Sequence, residues 1–150
     1  MEQGTEAGTT STAGRAAGGL AARLGVQPGQ VVHEFGYDSD VDEALRSAIE
    51  DAVGSELGDG DASDDVADLA VLWWRDEDGD LVDALVDVLT NLAERGVVVL
   101  LIPKTGRDGH VQASDVEEAA LTAGLHATTS LSAGADWIAT RLVAPKGGRR

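Results

Sequence analysis

A chain of 150 residues carries 27 acidic and 11 basic side chains, with 43% hydrophobic and only 3% aromatic residues. That length fits one domain, and its core must be built mostly of Val, Leu, Ile and Ala. The absence of cysteine excludes disulfides, thiolate metal sites and cysteine nucleophiles, and it suits a reducing compartment, here taken as the cytoplasm.

The formal charge of −16 is unevenly spread. Between Gly25 and Pro103 there are 20 acidic and 3 basic residues, a balance that repels nucleic acid and anionic membrane. Beyond Pro103 the chain is near neutral and ends in Lys146, Arg149 and Arg150. No stretch approaches the ~18 apolar residues of a membrane span. The first residues lack the basic start and apolar centre of a secretory signal.

Residues 1–18 are mainly Gly, Ala, Ser and Thr and read as a disordered tail, with a short turn at Leu20–Leu24 leading to Pro28-Gly29. Gln30–Tyr37 reads as a strand. Asp40-Val-Asp-Glu43 has capping-box form. Behind it, Val41, Leu45, Ala48, Ile49, Ala52 and Val53 recur at helical spacing until Gly54. Ser55–Asp65 reads as an exposed loop.

Leu69–Trp74 and Val97–Ile102 are unbroken apolar runs, the pattern of strands buried on both faces. A helix is expected between them from Asp80 to Arg95, with Leu81, Leu85, Val88, Leu89 and Leu92 on one side. Ser114-Asp-Val-Glu117 opens another helix, which ends at Gly124. His126–Ser132 and Trp137–Val143 form a terminal hairpin.

Alternating strands and helices predict an α/β fold, a Rossmann-like three-layer sandwich of residues 19–146, with residues 147–150 a basic tail. About five strands are expected, in the order first, second, third, fifth, fourth. The sheet is mostly parallel, with an antiparallel C-terminal strand.

Several segments carry a resemblance. They are Leu24-Gly25 with Pro28 to Val32, Glu34 to Asp38, Leu72 to Asp76 with Asp78 to Leu81, Pro103 to Gly106 with Gly109 to Val111, and Trp137 through Val143. Together they resemble an actinobacterial family known as domain of unknown function 3052, a resemblance that implies no particular activity. Asp68 to Val143 more distantly resembles the C-terminal half of class I methyltransferases. That likeness implies a cofactor loop for S-adenosylmethionine after the first strand. Here Glu34-Phe35-Gly36 begins such a loop, but Tyr37, Asp38 and Ser39 stand where further glycines are expected. No room is left for the next strand-helix pair, which would bring an acidic ribose ligand.

In open α/β sheets, ligands bind beyond the carboxyl ends of the strands. That rule gathers Glu34, Gly36, Tyr37 and Asp38 with Trp73, Trp74, Arg75, Asp76 and Asp78, and with Lys104, Arg107 and His110. Glu34, Tyr37 and Asp38 suit a ligand's hydroxyls, or simply a strand end and a cap. Asp76, Asp78 and Asp80 alternate like a calcium loop, but Leu81 stands where that loop requires Gly, so no metal is expected. One tryptophan is expected to pack under a helix and the other nearer the crevice, as core or as a stacking platform. Lys104 and Arg107 suit an anion or a pairing with Asp76 or Asp78, and His110 a titrating role. His33 and His126 read as structural.

No catalytic constellation emerges, and no cofactor is expected. The sequence therefore points to a non-catalytic accessory or regulatory protein acting through a protein partner, with Trp74, Arg75, Lys104 and Arg107 serving function more than folding. The alternative is a small-ligand or methyltransferase-like domain using the strand-end crevice.

Overall fold

The computed structural model describes residues 12–144. The C-terminal tail of residues 147–150 and the first eleven residues lie outside that range. The described residues begin with a helix, α1 (Thr12–Arg23), where the sequence suggested a tail followed by a short turn. Ala17, Leu20, Ala21 and Leu24 are buried at spacings of three and four residues. Alanine carries the highest helix propensity, and its small side chains lie flat against a neighbour, so a weakly apolar stripe is enough to dock this helix.

Strand β1 (Val32–Phe35) is followed by helix α2 (Glu43–Val53). Asp42, not Asp40, caps α2 by accepting the Leu45 amide, and Gly54 closes it in the left-handed conformation. Within the expected loop lies a two-residue strand, β2 (Gly58–Asp59), paired parallel to β1. Strand β3 (Ala67–Trp73) leads through a 3-10 turn (Asp76–Asp78) into α3 (Leu81–Leu89), which Asp80 caps.

Strand β4 (Leu92–Pro103) begins earlier than the periodicity suggested. The apolar stripe of α3 continues in the sequence to Leu92, but Leu92 pairs with Ala67 in the sheet. A bulge then absorbs the residues up to Val97, and Leu92 folds over Gly96, where a Cβ would lie 2.5 Å from its Cγ. Helix α4 (Ala113–Thr122) starts after Gln112 with no side-chain cap, so the Ser114 capping box does not form. Strands β5 (His126–Ala133) and β6 (Trp137–Val143) complete the sheet.

The six strands run in the order β2-β1-β3-β4-β6-β5, and β6 alone runs opposite to the other five. The expected order of the five longer strands is the observed one, with β2 added at the edge. Side chains alternate between two cores as strand geometry requires. Leu69, Val71, Trp73, Val99 and Leu101 face α1 and α2, while Ala70, Leu72, Trp74, Leu100 and Ile102 face α3 and α4. No helix among the described residues is long and apolar enough to cross a membrane.

Candidate functional site

From β1 the chain passes outward to β2 and then returns to β3 on the other side, so the sheet reverses direction between β1 and β3. The carboxyl ends of these two strands frame the position where open α/β sheets hold their ligands. Here that position is taken by a side chain. Arg75 Nη1 donates to the carbonyl of Gly36 at the end of β1 (2.7 Å) and to that of Trp73 at the end of β3 (3.2 Å). Its Nε donates to Asp40 at 3.1 Å, and its Nη2 to the other oxygen of the same carboxylate. Such a forked pair fixes the guanidinium plane.

The rest of the clasp is local. The Arg75 amide donates to Asp78 at 2.9 Å, and the guanidinium lies 5.4 Å from the centre of the Trp137 ring. Trp137 in turn donates from Nε1 to the Asp40 carbonyl at 3.1 Å. Gly36 must be glycine: its φ is +76°, and a Cβ there would lie 2.2 Å from the Trp73 carbonyl oxygen.

A second network lies deeper. Glu34 is buried, and its carboxylate accepts from Arg46 Nε (2.7 Å), Arg46 Nη2 (2.8 Å) and the indole of Trp73 (2.8 Å). Trp73 stands edge-on to Trp137 at 4.9 Å. Arg46 also donates to Glu43 at 3.0 Å and stacks 4.6 Å from the Tyr37 ring centre. The hydrogen bonds that Arg46 donates to Glu34 raise the Arg46 pKa, and the one it donates to Glu43 lowers that of Glu43. The Tyr37 hydroxyl donates to Glu43, which raises the phenol's pKa.

Two open lobes flank the clasp. One, of about 500 Å³, lies between Tyr37, Arg46 and the β2 segment with Asp59 and Asp61. The other, of about 340 Å³, lies between Asp38, Trp74, Asp78 and the Asp87 side of α3. The structure therefore brings together the Glu34–Asp38 and Trp73–Asp78 groups expected from the sequence.

The third expected group is placed differently. Lys104 Nζ donates to the Gly134 carbonyl at 3.0 Å, and Arg107 pairs with Asp136 at 3.0 Å. Both cations engage the β5–β6 loop, not Asp76 or Asp78. His110 bonds through Nδ1 to the Pro103 carbonyl at 2.8 Å. The tryptophans pack as core: Trp73 is 0% and Trp74 8% exposed, so neither offers a stacking platform. They point to opposite helical layers, and both layers are closed. Arg75, at 7% exposure, belongs to the folded framework. Of the strand-helix pair expected to have no room, the strand is present as β2, with Asp59 at its carboxyl end, and the chain runs on to β3 without a helix.

Asp40, Arg46 and Asp59 were missed in the sequence. A readable signal existed for Arg46: it and Arg75 are the only cations between Gly25 and Asp80. Two cations among so many carboxylates are apt to be engaged in specific pairs.

The family described as "Protein of unknown function (DUF3052)" matches residues 21–146. The chain belongs to the DUF3052 family. An uncharacterized protein of Mycobacterium tuberculosis is 50% identical over 142 residues, covering 95% of this chain and 89% of the relative, and one of Mycobacterium bovis matches to the same extent.

Among solved structures, the DUF3052 chain resembles the mitomycin 7-O-methyltransferase MmcR (TM-score 0.62, 14% identity, 90% of this chain and 55% of that one). It also resembles a SAM-dependent methyltransferase of Aquifex aeolicus (TM-score 0.57, 11% identity, 86% of this chain and 89% of that one). The chain thus spans about half the length of MmcR. At these identities the likeness establishes the Rossmann-like methyltransferase fold alone.

Proposed function

We propose that this DUF3052 protein is a non-catalytic binding domain of methyltransferase fold that acts in the cytoplasm through a protein partner. The observation that carries this reading is the Arg75–Asp40 clasp. An intramolecular ion pair occupies the strand-end position where the fold receives a ligand. Tyr37, Asp38 and Ser39 add bulk to the loop that would need to approach a cofactor closely.

The rim around the clasp is exposed and acidic, through Asp38, Asp61, Asp76 and Asp87. Such a rim complements a partner segment rich in Lys or Arg, and complementary charge favours specificity and rapid encounter.

Affinity purification from the native cytoplasm at physiological salt tests this reading. Wild type is compared with a variant carrying Asp38→Asn, Asp61→Asn, Asp76→Asn and Asp87→Asn. A protein with a basic segment should be retained by wild type and lost by the variant at an unchanged melting temperature. Retention of the same proteins by both forms contradicts the acidic rim as the docking surface.

A second reading is favoured by one feature. Asp59 ends β2 beside the 500 Å³ lobe, and a carboxylate at that point suits the hydroxyls of a ribose-like ligand. A ligand bound there would leave the clasp intact and would be weakened by Asp59→Ala.

A further inference from the structure

A separate cavity of about 230 Å³ lies on the α3/α4 side of the sheet, between α4 and the β5–β6 hairpin. It exists because β5 presents only Ala127 and Ser130 there, too small to fill the space beside α4. Its floor is apolar, from Ile102, Val116 and Ile138. For scale, a dry protein cavity of about 150 Å³ holds benzene, so one ring with a substituent fits here.

Thr105, Gln112 and Glu117 add polar groups to the lining, and two further polar features are set to orient a guest. Ser130 Oγ and Thr140 Oγ1 are 2.8 Å apart, and Thr140 is only 6% exposed. A hydroxyl pair holds two hydrogens and spends one on the mutual bond. Among the described residues no other acceptor takes the second.

The other feature is His110. The Pro103 carbonyl can only accept, so Nδ1 carries the proton in that 2.8 Å bond. In the neutral ring, Nε2 is then an acceptor, with only Thr105 at 3.4 Å as a long partner. The cavity thus combines an unspent donor, a free acceptor and a hydrophobic floor, the combination by which small-molecule sites orient a ligand. Glu117 also lines it, and its carboxylate disfavours an anionic guest.

We propose that this cavity is a binding site for a neutral single-ring molecule that carries both a carbonyl and an N–H, as in a heteroaromatic carboxamide or lactam. The carbonyl accepts from the Ser130–Thr140 pair, the N–H donates to His110 Nε2, and the ring lies on Ile102, Val116 and Ile138. The site uses neither the Arg75 clasp nor the acidic rim, so it stands independently of the partner reading.

The test is methyl NMR of the full chain titrated with nicotinamide and uracil, with benzoate and benzene as controls. Saturable shifts at the Val116 and Ile138 methyls are expected with nicotinamide or uracil, and weaker ones with either control. His110→Gln should reduce the affinity about tenfold, the effect of losing one hydrogen bond, and Ser130→Ala should reduce it by less, because Thr140 keeps a hydroxyl that donates. Ser130 is exposed, so its variant keeps the fold. No saturable shift at these methyls, equal binding of benzene or benzoate, or unchanged affinity in both variants overturns the proposal.

Discussion

Leu85→Ala will destabilise the protein by about 2–5 kcal/mol, the range for removing a buried leucine side chain. Leu85 is 0% exposed and lies at the middle of α3, in one core with Leu81, Val88, Leu72 and Leu100. Truncation leaves a void that the sheet behind it cannot collapse to fill. Asp87 lies two residues further on and faces solvent, so Asp87→Ala should fall within about half a kcal/mol of wild type. Chemical denaturation midpoints rank the two directly. The reverse ranking would mean that α3 is turned away from the sheet.

Arg75→Ala will cost about 3 kcal/mol, because it removes a buried guanidinium that donates to several groups at once. The carbonyls of Gly36 and Trp73 lose a donor, and Asp40 loses its forked partner. Arg75→Lys should recover only part of this, since an ammonium cannot reproduce the fork.

The clasp also predicts an acid dependence. The hydrogen bond from Arg75 holds the Asp40 carboxyl below its ordinary pKa, against a smaller opposing effect of burial. A carboxyl depressed by folding contributes stability above its unfolded value of about 3.9, and that stability is lost as the pH falls through the folded value. Wild type should therefore exceed Asp40→Asn by a constant margin at neutral pH, and the margin should shrink below about pH 4. A margin that grows on acidification would contradict the pairing.

Much of the fold was legible because its central strands announce themselves. Leu69–Trp74 and Val97–Ile102 are apolar on both faces, and only a covered parallel sheet accommodates two such runs. Elements that depend on tertiary contact were less visible. α1 is made of Gly and Ala, whose pattern is faint until Leu20 and Leu24 meet α2. β2 is a Gly-Asp pair that is a strand only because β1 lies beside it. The end of α3 was hidden because Leu92 suits a helical stripe and a sheet position equally.

The site was half legible. Chain topology placed Glu34–Asp38 and Trp73–Asp78 together, as strand-end rules require. Side-chain commitment was not legible, because pairing partners are distant in sequence. Asp40 read as a cap yet holds Arg75, and Lys104 and Arg107 read as an anion site or as partners of Asp76 or Asp78 yet bind the hairpin loop.

The account rests on the Arg75–Asp40 clasp standing where the fold elsewhere holds a ligand. Titration calorimetry of the intact protein with S-adenosylmethionine tests it most directly. The account predicts no saturable heat into the millimolar range. Saturable binding that Asp59→Ala abolishes would contradict it, and would place the methyl donor in the lobe beside β2.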